Sequence, residues 1–259
     1  MVGNMAAAWR RLRAGAPRVD SPVALESGTD NQWDLTVDVA VIGFGGAGAA
    51  AAIEARDCGA DVAVNDRFNG GGTTNITVGI IKAGGGTAIQ KEAGVEDSPE
   101  NMFNYLVQET GDAVCEDTLR LFCEDSASNL DWLMDQGVPF NASQCPFKTS
   151  FPSTDYYYYY SGNESFPPFT RSASPAARGH RAHGKGVSGA ALFNPLQQSA
   201  QDKGIELLTQ HRARGLITDA GGAVIGVQLS RFAPDSLSGW LHRKLYGLLI
   251  YLRYAAMYL

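Results

Sequence analysis

The chain has 259 residues, of which 44% are hydrophobic and 19% charged, with a formal net charge of −6. That balance belongs to an ordinary globular protein and excludes intrinsic disorder or a collagen-like repeat. The acidic charge speaks against a nucleic-acid binder, which would carry a basic field.

In chain order, Arg10, Arg11 and Arg13 follow a short Ala run with no apolar core of signal-peptide length. Residues 1–35 therefore read as a loosely ordered leader. Asp34 to Gly43 is a short apolar run suited to a buried parallel strand, and it ends in Gly43-Phe-Gly-Gly-Ala-Gly48. The Ala-rich stretch Ala49 to Cys58 favours a helix that Gly59 stops. Asp61 to Asp66 is the next strand, completing a βαβ unit. Phe68 to Thr87 is dense in Gly and Thr and reads as a loop. Ser98-Pro-Glu-Asn opens a helix with an N-cap and a Pro at N1. The spacing of Leu119, Phe122, Cys123, Leu130 and Leu133 predicts helix from Glu116 to Gln136. Residues 141–185 are polar, Pro-rich and aromatic, including Tyr156 to Tyr160. A helix over Ser188 to Lys203 precedes strands at Ile205–Thr209, Arg214–Asp219 and Ala223–Leu229, with a hairpin turn at Asp219-Ala-Gly-Gly.

Cys58, Cys115, Cys123 and Cys145 form no C-x-x-C pair and no zinc-spaced set with histidine, so four free thiols in a reducing cytosol and no metal are expected.

A short Gly pattern is common, but Gly43-x-Gly45-x-x-Gly48 follows a strand and opens a helix, as dinucleotide binding requires. Gly43 allows the tight turn, Gly45 lets backbone approach a pyrophosphate, and Gly48 lets helix pack on strand. Gly46 and Ala47 lie in the same loop. Asp66, closing the second strand, is placed to accept hydrogen bonds from ribose hydroxyls and would repel a 2′-phosphate. Arg67 can offset phosphate charge. Gly71-Gly72-Thr73-Thr74 offers further backbone donors and two hydroxyls, which disfavours a plain NAD-type Rossmann enzyme.

Three stretches carry a resemblance: Val41 to Gly48; Gly71 to Gly79 with Gly84 to Thr87; and Tyr157 to Glu164 with Pro175 to His180. Across residues 36–229 the chain resembles the fumarate reductase/succinate dehydrogenase flavoprotein superfamily, and within it the 3-ketosteroid dehydrogenases. The resemblance implies an α/β fold: a Rossmann-like FAD-binding domain with an inserted α+β substrate (cap) domain, incomplete at the C-terminus. The implied division is leader 1–35, FAD-binding part 36–136, cap segment 137–200, returning strands 201–232 and amphipathic tail 233–259. FAD would lie across Gly43–Gly48, Asp66 and Gly71–Thr74, with Thr77 and Gly79 towards the flavin and the backbone at Ala213 near the adenine. Asp66 stands where the family usually has Glu, and Val78-Gly79 where Gly-Gly is usual. His180 falls at a substrate-binding histidine of fumarate reductase relatives, and Arg181 could pair with an anionic substrate group. A packing role is expected for most of the five tyrosines.

The implied reaction is formation of a C=C bond beside the carbonyl of a steroid-like small molecule. The alternatives are a fumarate reductase-like dicarboxylate enzyme and a non-catalytic FAD-binding or membrane-associated module. The resembled enzymes have a C-terminal segment that returns to the first domain, so the chain reads as a fragment whose main catalytic groups lie elsewhere. On the tail, Leu245, Leu248, Leu249, Leu252, Ala256 and Leu259 share a helical face opposite Arg243, suited either to a peripheral membrane contact through residues 240–259 or to a core helix.

Overall fold

The computed structural model describes residues 20–24, 33–233, 236–242, 244, 245 and 248; most of the expected leader and tail lies outside them. The elements up to the middle of the chain are β1 (Val23–Ala24), β2 (Val39–Ile42), α1 (Gly46–Asp57), β3 (Val62–Asp66), β4 (Ile80–Lys82), α2 (Ala88–Glu92), α3 (Pro99–Thr110), α4 (Glu116–Glu124) and α5 (Ser126–Asp135). They are followed by β5 (Tyr158–Tyr159), β6 (Gly179–Arg181), α6 (Gly189–Asp202), β7 (Glu206–Thr209), β8 (His211–Thr218) and β9 (Val224–Arg231). Contacts divide the chain into two units: Met1–Phe44, Glu54–Gly70 and Ile205–Leu259 form one, Gly45–Ile53 and Gly71–Gly204 the other. Residues 71–136, grouped at the level of sequence with the nucleotide-binding part, cluster with residues 137–204.

The first unit holds a parallel sheet of order β2-β3-β7, in which Val39 pairs with Val62 and Ala63 with Glu206. Central β3 is buried over Val62 to Asn65, as a continuous apolar run in a parallel sheet should be. The Gly59 stop takes φ +91°, a conformation that suits glycine, and its N–H donates to the Arg56 carbonyl. A second sheet in this unit has order β1-β8-β9. Val23 and Ala24, expected within the leader, pair in parallel with Ile217 and Thr218. The β8–β9 hairpin turns where expected, because Asp219 Oδ1 accepts the N–H groups of Gly221 and Ala223 at 2.8 and 2.9 Å.

The second unit has an antiparallel sheet of order β4-β6-β5. One core cluster joins Met102, Phe103, Tyr105 and Leu106 of α3 to Leu119 and Cys123 of α4; another holds Ala83, Ile89, Leu130, Tyr158 and Ala177. Two expectations change here. The helix over 116–136 breaks at Asp125, where buried Ser126 turns its hydroxyl to accept the Gly84 N–H at 3.1 Å. The Gly/Thr stretch is not all loop, since Thr74–Ile76 forms a 3-10 turn and Ile80–Lys82 becomes β4. In the tyrosine run only Tyr158 and Tyr159 are strand, and Tyr157, Tyr158 and Tyr159 are all buried, in keeping with the packing role expected for most of the run. All four cysteines are free.

Candidate functional site

The Gly-rich turn is built from main-chain chemistry. Gly43 takes φ +98° and donates its N–H to the Asn65 carbonyl at 2.8 Å, extending the β2–β3 pairing into the turn. The Phe44 ring is buried beneath Gly70, where a Cβ would come within 2.8 Å of Phe44 Cδ1. The Phe44 N–H donates to Asp66 Oδ2 at 3.0 Å, and the Phe68 N–H donates to Asp66 Oδ1 at 2.7 Å. A carboxylate has about four lone-pair sites, so Asp66 is oriented by two backbone donors and keeps acceptor capacity for hydroxyl groups.

Within the second unit, α1 begins at Gly46, whose N–H donates to Thr74 Oγ1 at 3.1 Å. The first bond within the helix runs from the Ala49 N–H to the Gly45 carbonyl. The early N–H groups of Ala47 and Gly48 have no acceptor in the helix itself. Gly70, Gly71 and Gly72 all take positive φ, a succession that side-chain-bearing residues resist. Gly79, also at positive φ, lies so close to α6 that a Cβ would meet the Ser188 carbonyl at 2.5 Å. Thr77 joins these pieces: its hydroxyl donates to the Thr74 carbonyl at 3.1 Å, and its carbonyl accepts the Gly189 N–H at 2.9 Å. Thr73 is exposed.

The donor set fits a dinucleotide pyrophosphate. A Cβ on Gly45 would lie no closer than 3.8 Å to the nearest atom, the Gly71 carbonyl oxygen, and one on Gly72 no closer than 3.8 Å to Gly45 Cα. At Gly45 no neighbouring atom demands glycine, and at Gly72 the demand comes from its own φ of +50° rather than from a neighbour. Both leave backbone open towards an incoming anion, next to the start of a helix whose dipole favours negative charge. In the first unit, Arg67 is exposed with its guanidinium 4.7 Å over the Phe68 ring, and Ala213 sits within β8 opposite Leu229.

His180 and Arg181 are on β6, and both are fully buried. His180 Nε2 lies 3.0 Å from Thr87 Oγ1 and Nδ1 3.3 Å from the Arg178 carbonyl, with the Tyr158 ring 5.1 Å away. Burial pushes the His180 pKa down to about 4, against smaller opposing effects of the Arg178 carbonyl and Asp97. Arg181 Nε donates to Ser188 Oγ at 2.8 Å, and its other nitrogens donate to the carbonyls of Pro152, Ser153 and Gly186. As folded, both side chains are engaged by the protein.

Sequence reading did not single out the buried pair Arg178–Asp97. Arg178 Nε and Nη2 donate to the two Asp97 oxygens at 2.9 and 2.7 Å, while Nη1 finds no acceptor and the guanidinium lies 5.1 Å over the Tyr105 ring. Burial alone would raise the Asp97 pKa, but the hydrogen bonds and charge of Arg178, with help from Asn101 and Gly85, hold it below the usual carboxylate range. Nearby, Lys82 Nζ donates to buried Glu164 Oε1 at 2.8 Å, Glu164 Oε2 accepts the Gly162 N–H, and the Tyr105 hydroxyl accepts the Asn163 N–H. These contacts give the Tyr-Ser-Gly-Asn-Glu run a structural job. Burial first, then the Glu164 charge, pushes the Tyr105 phenol well above its ordinary range. Among the described residues no cluster of three His, Cys, Asp or Glu could hold a metal, and no helix is long and apolar enough to cross a membrane.

Residues 38–236 match the FAD-binding domain family. The chain is 40% identical over 223 residues to 3-oxo-5-alpha-steroid 4-dehydrogenase of Comamonas testosteroni, covering 85% of this chain and 42% of that protein. It is 26% identical over 233 residues to urocanate reductase of Eggerthella lenta, covering 89% of this chain and 32% of that one. Among solved structures, the 3-ketosteroid-delta4-(5alpha)-dehydrogenase of Rhodococcus jostii RHA1 in complex with 4-androstene-3,17-dione superposes with a TM-score of 0.76 at 37% identity, over 81% of this chain and 45% of that one. A flavocytochrome c3 fumarate reductase shares the fold, with a TM-score of 0.58 at 21% identity over 87% of this chain and 32% of that one. The chain thus spans less than half the length of each of these relatives. The cofactor indicated is FAD, which the glycine cradle and Asp66 suit. With most of its length matched, the chain belongs to the FAD-binding domain family of flavoproteins.

Proposed function

We propose that this chain forms the FAD-binding part of a dehydrogenase that removes a hydride and a proton from adjacent carbons of a 3-oxosteroid-like ring, leaving a C=C bond. The observation that carries this reading is its 40% identity over 85% of the chain to a steroid 4-dehydrogenase. When bound, FAD supplies the hydride acceptor. Gly43, Gly45, Gly46, Ala47, Gly48, Gly71, Gly72, Thr73 and Thr74 cradle its phosphates. Asp66 takes the ribose hydroxyls, Arg67 offsets phosphate charge, Thr77 and Gly79 line the stretch towards the flavin, and the Ala213 backbone meets the adenine. The carbonyl must be polarised to make the neighbouring proton acidic. No side chain described here is presented for that step.

His180 and Arg181 contribute as positioning residues. The first, held neutral, ties β6 to the start of α2; the second fixes the loop that leads into α6. The Arg181 guanidinium is filled by Ser188 and three carbonyls, which speaks against a dicarboxylate clamp of the fumarate reductase kind at this arginine. A peripheral membrane contact through the helical segment after residue 236 is part of the proposal, supported by exposed Leu237, Trp240, Leu241, Leu245 and Leu248.

The test is spectroscopic. The purified chain is expected to hold FAD, released intact by acid, and titration with a 4-ene or saturated 3-oxosteroid should perturb the flavin bands, whereas fumarate should not. Failure to take up FAD removes the cofactor assignment. Perturbation by fumarate alone overturns the steroid one.

A further inference from the structure

Asn69 and Gly70 are the only Asn–Gly pair in the chain. They lie in the first unit, in the bend that leads from the end of β3 to Gly71 and Gly72. Glycine is fixed at the second position, because Gly70 takes φ +85° and a Cβ there would come within 2.8 Å of Phe44 Cδ1. Asn69 itself is exposed, while Gly70 is buried. A glycine following an asparagine leaves the backbone nitrogen unshielded by any Cβ, so that nitrogen can reach the side-chain amide carbon of the residue before it.

Nucleophile, electrophile and leaving group are each disposed for that attack. The Gly70 N–H has no acceptor among the described residues, so its proton is not tied up by the fold. Gln210 Nε2 donates to Asn69 Oδ1 at 2.7 Å. Negative charge that builds on this oxygen during addition therefore meets a donor already in place. Gln210 is itself held firmly, with its N–H donating to the Phe68 carbonyl at 2.7 Å and its Oε1 lying 2.6 Å from His242 Nδ1. Among the described residues it is the one non-glycine at positive φ, +61°, a conformation kept only where the surroundings impose it. Asn69 Nδ2, the nitrogen that would leave, has no partner among the described residues.

We propose that Asn69 is a site of self-catalysed deamidation. The Gly70 nitrogen gives its proton to solvent and bonds to Asn69 Cγ, the Cγ–Nδ2 bond breaks, and Nδ2 takes up a proton and leaves as ammonia. Water then opens the resulting succinimide at one or other carbonyl, leaving aspartate or isoaspartate. No oxidant or reductant is needed. Either product carries a new carboxylate just ahead of Gly71 and Gly72, and isoaspartate also lengthens the backbone there by a methylene. A negative charge at this point opposes a pyrophosphate, so the hold on the cofactor weakens as the protein ages. That consequence rests on the FAD assignment proposed above, whereas the conversion itself does not.

The purified chain is incubated in mildly alkaline buffer and sampled by peptide mass mapping, with enzymatic methylation of isoaspartate as a second readout. Asn69 should convert faster than any other asparagine. Gln210→Gly, which suits the left-handed backbone, should slow that conversion at least about threefold by removing the donor, while the far-ultraviolet dichroism stays as in the parent. Asn69→Asp should bind FAD about threefold more weakly, a difference that shrinks as salt rises. Asn69→Gln, which does not close the succinimide ring, should keep its initial FAD affinity through the same incubation. Conversion at Asn69 no faster than elsewhere, an undiminished rate in the folded Gln210 variant, or parental FAD affinity in Asn69→Asp would each overturn the proposal. A chain that converts at Asn69 yet never takes up FAD would count against the cofactor assignment and leave the conversion standing.

Discussion

Asp66 carries its carboxylate on a single methylene, and the structure shows what holds it. Its carboxylate accepts the N–H groups of Phe44 and Phe68, tying the Gly-rich turn to the end of β3. The glycines around it divide by what surrounds them. Gly45→Ala adds a methyl that makes only ordinary van der Waals contact, 3.8 Å from the Gly71 carbonyl oxygen, so we expect a thermal midpoint close to that of the parent, within the roughly 0.5 kcal/mol typical of harmless substitutions. FAD affinity should nonetheless drop at least about tenfold, or about 1.4 kcal/mol. Gly79→Ala meets a carbonyl at 2.5 Å at φ +66° and should cost on the order of 2–3 kcal/mol of stability. Denaturant titration and flavin fluorescence separate the two, and equal stability losses would defeat the distinction. The Gly-rich turn was legible in sequence because a tight turn at positive φ leaves a spacing signature in glycine. His180 and Arg181 were visible as residue types, but their burial was not. The Arg178–Asp97 pair left no local mark, being joined across |i−j| = 81.

At the scale of elements, β2, α1, β3 and the β8–β9 hairpin were legible, since each is specified by a short apolar pattern with its own stop. The helix predicted over 116–136 was harder: it parts at Asp125, and buried Ser126, which begins the second half, accepts the N–H of a distant partner, Gly84. The helical segment beginning at Leu237 shows how much a face can say. At about 100° per residue, Leu237, Trp240, Leu241, Leu245 and Leu248 fall within one broad arc together with Lys244, and the five apolar residues are 45–78% exposed. His242 points away from that arc and packs beside Phe68 and Phe232. Liposome flotation with anionic vesicles should therefore recover the chain in the lipid fraction, and L237S/L241S should return most of it to the aqueous fraction. A parent chain left wholly in the aqueous fraction would remove the membrane contact from the proposal.

For the whole molecule, the buried ionisable groups determine behaviour in acid. His180 is neutral when folded, with a pKa near 4, but protonates near its ordinary 6.5 when unfolded. Its depressed folded value means that its contribution is fully present above about 6.5 and is lost as pH falls through about 4. Asp97, also held low, keeps its contribution until the pH drops below the ordinary carboxylate value of 3.8. Stability should therefore decline between pH 6.5 and 4 before the Arg178–Asp97 pair is touched. The urea midpoint measured across that window should flatten in His180→Gln, whatever its absolute stability. An unchanged slope would assign the decline to other groups.

The two discontinuous units also impose a schedule on the chain as it leaves the ribosome. The parallel sheet waits for β7, and Asn65 reaches the His211 carbonyl only across |i−j| = 146. Residues 71–204, by contrast, contain the strands and most of the helices of their own unit. Nascent β2 and β3 must then remain a two-stranded remnant while everything between them and β7 is synthesised, and pairings of such long sequence separation are slow to close. The interval of greatest vulnerability for this protein falls during its own translation, when a holding chaperone would have the most to protect.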